Sequence, residues 1–234
     1  MIRLYHFAFT VTLFLQTIIV SSQPNYISLK QETQSLTKGI KNTYRYQIYY
    51  DREKEIITKY HTYPNRFITI SNQLGETKIY FPDQNKVSIQ QNQAYSISNE
   101  LIFYFINNQI SDLGLVKEGF KLINSINNEE LIETLWQAPQ SLKIISQVKV
   151  VYKDMAPIYA EYQRTNGSIS KKIYYSRYQD FNYFRLPMRI TEISYESELD
   201  STIRLSEFSD VKVTRTADDP LFNYKIPDNA QLSE

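Results

Sequence analysis

From residue 43 the apolar positions fall two apart. Tyr44, Tyr46, Ile48 and Tyr50 alternate with Arg45, Gln47 and Tyr49, the period of a strand with one wetter face. The charged Asp51-Arg52-Glu53-Lys54 turns the chain, and 55–63 reads as the return strand. Pro64-Asn65 breaks that strand and 66–71 resumes it. Leu74-Gly75 leads into 77–81, and Pro82-Asp83-Gln84-Asn85 turns the chain into 86–90. Five strands in about fifty residues, joined by short turns, predict an antiparallel meander with no room for helical crossovers.

The middle changes rhythm. The run 101–106 is solidly apolar and stops at Asn107-Asn108. As a helix it sets Leu101, Tyr104 and Phe105 on one face, although the same run suits a buried strand. Ser98 as N-cap and Glu100 in the first turn favour the helix. A second short helix is expected over 112–118, ended by Gly119. Strand-like sequence returns at 120–125, 131–137, 147–152, 158–164, 171–178, 184–195, 202–208, 210–214 and the closing 221–227. Asn166-Gly167 is the strongest hairpin signal, because both central positions of a type I′ turn take positive φ. With Ser168 it also matches a glycosylation acceptor, and the tight turn is the reading adopted. Upstream, 23–42 is polar, with Leu29, Leu36 and Ile40 as sparse apolar points. It reads as a lead-in, either one short helix or loose chain. The total is about eleven strands with one helical insertion near 98–118. All lie in a single domain over 43–234. The fold class is mainly β, one large curved antiparallel sheet.

Composition supports the sheet. The chain has 20 Tyr and 12 Phe but one Trp, with five Gly and eight Pro. Tyrosine is a strand former with an apolar body and a polar tip. The N-terminus adds a destination. Arg3 and His6 form a short positive region, 7–20 is nearly continuous in apolar residues, and Val20-Ser21-Ser22 ends small. That is the three-part form of a secretory signal over 1–22, cleaved before Gln23. The apolar run is short of the roughly 20 residues that span a bilayer. There is no Cys, so the chain has no acylation site of the lipoprotein kind, and an exported domain without disulfides fits a bacterial periplasm. Formal charge is +1 and falls to about 0 on cleavage, which excludes a basic nucleic-acid binder.

Catalytic patterns are sparse. Beyond the leader His61 is the only histidine, and its place in a strand suits packing. No Cys/His spacing holds a metal, the five glycines are isolated, and no serine sits in a nucleophile elbow. Glu129, Glu130 and Glu133, and Asp218-Asp219, are the remaining acids that could act in pairs. The expectation is a chain that is not an enzyme and uses no cofactor.

Three segments carry a resemblance. They are Lys59-Tyr60-His61-Thr62-Tyr63-Pro64-Asn65-Arg66-Phe67, GETKIYFPDQNKV at 75–87, and LFNYKIPDNA at 221–230. Together with the leader and the sheet–helix–sheet order, they resemble the LolA-like family of periplasmic lipoprotein carriers, in the divergent form of Bacteroidetes-type envelopes. The resemblance covers most of 43–230. It implies an incomplete, half-open antiparallel barrel with a concave apolar face and a helical lid, for which 101–106 is the natural segment. It also implies a cavity that takes acyl chains of lipoproteins or lipids towards the outer membrane. Transient inner- and outer-membrane partners and a monomer follow. Such a cavity is needed because each buried methylene is worth roughly 0.8 kcal/mol. Strand alternation and the lid nominate Ile48, Ile57, Phe67, Ile79, Phe81, Leu101, Tyr104 and Phe105 as cavity residues; for any single one of them ordinary core packing is the preferred reading, and the concave face of the sheet is not read from the sequence. One departure stands out. The family places an Arg just before the Pro that precedes the third strand, where it helps hold the lid shut. Tyr63 stands there, and Arg66 beyond Pro64 has the other parity, so that role is not carried over. The alternative is a non-enzymatic envelope scaffold or sensor whose groove binds a peptide or protein partner.

Overall fold

The computed structural model describes residues 24–97, 100–196 and 200–233. The expected export segment and Ser98 lie outside the described residues. The first half of the chain forms β1 (Tyr26–Thr37), β2 (Ile40–Asp51), β3 (Ile56–Tyr63), β4 (Phe67–Asn72), β5 (Glu76–Phe81) and β6 (Lys86–Gln91). The helix α1 (Leu101–Ile106) follows. The second half forms β7 (Lys121–Asn128), β8 (Leu131–Gln137), β9 (Ile145–Lys153), β10 (Ala156–Arg164), β11 (Ile169–Asp180), β12 (Arg185–Tyr195) and β13 (Ser201–Thr214), and β14 (Gln231–Leu232) ends the chain. All fourteen strands join one sheet in the order β14-β6-β5-β4-β3-β2-β1-β13-β12-β11-β10-β9-β8-β7. Every described ladder is antiparallel except the two-residue β14–β6 pair. β7 and β14 end the order unpaired with each other, so the sheet curls without closing. The expected mainly-β, half-open sheet is the observed one.

The lead-in is the main correction. Residues 26–37 are neither a helix nor loose chain but the central strand β1, paired along its length with β2 and β13. Its inward positions run Ile27, Leu29, Gln31, Thr33 and Ser35. The apolar signal therefore lapses half-way, where the strand leaves the core. Lys38 and Gly39, at φ 51° and 78°, make the type I′ turn into β2. The type I′ geometry expected at Asn166-Gly167 is absent there. Gly167 alone takes positive φ, 84°, in a three-residue loop closed by Arg164 N–H to Ser168 O at 2.8 Å. The second I′ turn is Asp154-Met155, at φ 50° and 62°. The helix expected over 112–118 is a run of turns, folded by Asp112, whose carboxylate accepts from Val116 N–H at 2.9 Å. The stretches 202–208 and 210–214 are one strand, β13, with Asp210 at φ 52° inside it.

The closing 221–227 is not a strand either. A 3-10 turn, Pro220–Asn223, starts with the Asp219 carboxylate accepting from Leu221 N–H at 2.9 Å. It seats Phe222 edge-on between Tyr26 and Tyr49, with ring centroids 5.1 and 5.2 Å away. Tyr224, Ile226 and Ala230 then pack on Ile68, Tyr80 and Val87. This strap covers the outer face of the first meander.

The main core lies on the inner face. The helix α1 sits in the curl of the sheet with Ile102, Phe103, Tyr104, Phe105 and Ile106 buried. Ile48 and Ile57 from one limb and Val148, Ile173 and Leu186 from the other join the same cluster. A six-residue helix is not stable alone, but each of these buried side chains contributes roughly 1.5–3 kcal/mol. Tyrosine hydroxyls fix the insertion. Tyr50 donates to Asn107 Oδ1 at 3.3 Å, and Tyr152 donates to Ser111 O at 2.7 Å. Arg52 donates to Ile106 O at 2.6 Å, satisfying a carbonyl of the helix end.

Candidate ligand cavity

The plug formed by α1 fills one end of the curl and leaves the other open. The open end is a cavity of ≈ 970 Å³, at the large end of small-molecule sites. Its two walls differ in chemistry. Leu101, Ile102, Leu113, Leu115, Phe120, Ile173, Ile190 and Phe208 make an apolar wall. Gln31, Thr33, Ser35 and Ser206 make a polar stripe along β1 and β13. Within it the Thr33 hydroxyl lies 3.0 Å from Ser206 Oγ and 3.4 Å from the Tyr46 hydroxyl. Tyr104 is held in the apolar wall by Gly114, where an added Cβ would sit 2.2 Å from the Tyr104 ring. Gly114 also takes φ +82°, so no other residue fits.

Charges enter the cavity in pairs. Lys59 Nζ donates to Glu100 Oε2 at 2.5 Å and lies 5.7 Å from the Tyr46 ring centroid. Glu100 is the residue that precedes α1, and its carboxylate serves this ion pair rather than a helix N–H. Burial pulls the Lys59 ammonium down, but the Glu100 charge, Tyr46 and the hydrogen bond outweigh it and hold its pKa above the ordinary value. Beside it His61 stacks on Phe67 at 3.8 Å and 12°. Burial first, and the Lys59 charge second, push the imidazole down to about 4. At the other limb Glu192 takes Lys171 at 3.5 Å and Arg204 at 3.2 Å. Burial lifts the Tyr162 phenol to about 12, with Glu192 adding to it.

The eight nominated residues divide. Phe67, Leu101 and Tyr104 line the cavity. Ile48 and Ile57 face inward but are sealed beneath α1, and Phe105 is 0% exposed, packed 5.5 Å from the Tyr175 ring. Phe81 backs Phe67 at 5.8 Å, and Ile79 shares that side of the sheet through Thr69; neither lines the cavity. The strand residues all fall on the inner parity, although alternation left open which face is concave. Tyr46, Lys59 and His61 continue that parity along β2 and β3 and were open to the same reasoning. The β10–β13 wall carries none of the nominated residues. At the mouth Tyr63, Pro64 and Asn65 line the rim. Arg66 instead donates to the Tyr60 hydroxyl at 3.0 Å and lies exposed. The acids considered as pairs lie outside the cavity lining. Glu130 pairs with Lys153 at 3.1 Å, Asp219 holds the 3-10 turn, and Glu133 stands in β8. Among the described residues no group of three or more His, Asp or Glu is arranged to hold a metal ion. Among them, too, no helix is long and apolar enough to cross a membrane.

No protein-family model matches the chain, and no curated protein does. Solved structures do. A LolA superfamily protein from Nitrosomonas europaea superposes with a TM-score of 0.55 at 14% identity, over 85% of this chain and 90% of that one. The fold is LolA-like. A domain from Vibrio parahaemolyticus named for outer membrane lipoprotein sorting matches at a TM-score of 0.57 and 12% identity, over 85% and 89% of the two chains. A DUF1329 family protein from Desulfovibrio piger gives 0.55 and 12%, over 85% and 90%. At these identities the likeness is one of architecture. The shared feature is the LolA-like fold, and the helix and cavity described above are this chain's own.

Proposed function

We propose that this chain is a divergent LolA-like carrier, exported to the bacterial periplasm, that binds acyl chains of lipoproteins or lipids for transfer towards the outer membrane. The observation that carries the reading is the open cavity of ≈ 970 Å³ with an apolar wall, beside a helix packed into the same curl. A cavity of about 150 Å³ lined only by apolar groups already binds small apolar ligands. One several times larger and open to solvent has room for part of a lipid chain. Phe67, Leu101 and Tyr104 are its contact residues from the nominated set, and Ile48, Ile57 and Phe105 support it from beneath. Binding without chemical conversion, action as a monomer and transient membrane partners belong to the same proposal.

One feature favours a second reading. The hydroxyl and amide stripe of Gln31, Thr33, Ser35 and Ser206 offers hydrogen bonds that an acyl chain does not use. A peptide main chain uses them, as a scaffold or sensor would require. Native mass spectrometry of the protein expressed from its full sequence and purified from envelope extract separates the two. A co-purifying acyl species supports the carrier. A protein that arrives empty and takes up no fluorescent fatty acid ends that reading and leaves the peptide groove.

A further inference from the structure

The cavity is graded in polarity along three neighbouring strands. Ile173 on β11, Ile190 on β12 and Phe208 on β13 are 2%, 6% and 7% exposed. Further along the same strands stand Lys171, Glu192 and Arg204, and the Lys171 and Arg204 side chains are 38% and 54% exposed. Glu192 faces Ile173 in one ladder and Arg204 in the next. Its single carboxylate takes Lys171 Nζ at 3.5 Å and Arg204 Nη1 at 3.2 Å. Two cations therefore share one acid, and the cluster keeps a surplus positive charge. A guanidinium offers five donors in a fork that matches a carboxylate or phosphate. The Lys59–Glu100 pair is different, because one cation there meets one acid at 2.5 Å. Glu118 also lines the cavity, on the loop that follows α1. Its charge reaches Tyr162, over whose ring Lys171 sits, so the surplus belongs to the side chains of β11, β12 and β13 and not to the whole mouth.

We infer that the ligand is an amphiphile with an anionic head, a carboxylate or a phosphate, whose head seats on Lys171 and Arg204 and whose chain lies on Ile173, Ile190 and Phe208. The inference rests on the acyl-carrier reading and adds the sign of the head group to it. A cationic head would meet the surplus charge of its own sign. A neutral head could accept from these donors but would bring no charge to offset theirs.

The test is calorimetric titration of the purified protein with dodecanoate, dodecyl phosphate, dodecanol and dodecyltrimethylammonium, all below their micellar concentrations. One of the two anionic ligands should bind about tenfold more tightly than dodecanol. Which of them does so separates a fatty acid from a phospholipid-type head. The Lys171→Gln/Arg204→Gln double variant should lose that preference and keep its affinity for dodecanol. Glu192→Gln removes the internal competitor and should widen the preference, an effect that a merely structural role would not produce. Equal binding of dodecanol and both anions, or a preference that survives in the double variant, overturns the anionic seat and leaves the acyl reading standing. Failure of all four ligands to bind removes both.

Discussion

Acidification should loosen this protein through His61 by an amount that can be isolated from its other groups. His61 stacks on Phe67 within 3.8 Å and stands beside Lys59. Burial and that charge lower its pKa from 6.5 to about 4. The unfolded chain takes up a proton near the ordinary value, and the folded chain resists it until about 4. The contribution of His61 is therefore fully present above pH 6.5. It drains as pH falls and is gone below about 4. At about 1.4 kcal/mol per pH unit the gap corresponds to about 3 kcal/mol. Urea unfolding of the wild type and of His61→Gln, at intervals from pH 7.5 to pH 4, isolates the effect by difference. Other acids that gain partners on folding, such as Glu32 and Asp210, cancel in that difference. The stability of the wild type relative to the variant should fall by about 3 kcal/mol across the window. Proton NMR of the imidazole gives an independent reading, since the sequence has only His6 and His61 and the variant assigns the second. Parallel stability curves, or an imidazole that titrates near 6.5 in the folded protein, would refute the argument.

Two further perturbations test the plug and its tether. Phe105→Ala opens a void between α1 and the Tyr175 and Tyr178 rings, and should cost about 3–5 kcal/mol in urea unfolding; a loss under about 1 kcal/mol would mean that the helix is not the keystone of the core. Glu100→Gln leaves the Lys59 ammonium, 19% exposed, without its acid and should cost about 2 kcal/mol in thermal unfolding. The double change Lys59→Met/Glu100→Leu should recover most of that stability, and a double variant weaker than the single one would show that the pair contributes more than it costs to bury.

What the sequence disclosed follows from which residues face the core. Strands β2 to β5 were legible because Ile48, Tyr50, Ile57 and Ile68 keep apolar side chains at every second position where they pack. The strand β1 was hidden because its inner side turns from Ile27 and Leu29 to Gln31, Thr33 and Ser35 where it enters the cavity. A strand that lines a wet space loses the alternation that announces it. For the same reason the cavity's polar contribution, including Lys59, Glu192 and Arg204, went unread, since charges in a strand pattern are ordinarily assigned to solvent. The helix was legible as a solid apolar run. Its role as a buried plug in place of a hinged cover depends on packing from both limbs, which no local pattern encodes. The turn at Lys38-Gly39 was missed, and the turn read at 154–157 was not recognised as type I′, because Lys and Met carry no preference for positive φ. Tight strand pairing imposes it on them.

The ladder between β1 and β13 has a consequence for how the chain reaches this shape. It joins positions such as Thr33 and Ser206, 173 residues distant in sequence, at the middle of the sheet and not at an edge. The meanders β2–β6 and β8–β12 can each zip from local hairpins, but neither surrounds α1 alone. Closing a loop of that length is slow relative to hairpin formation. During synthesis the first strand must wait for nearly the whole chain before it has its second neighbour. Until then the inner face of both limbs stands open, so the surface that later holds a guest is first one that needs protection from others.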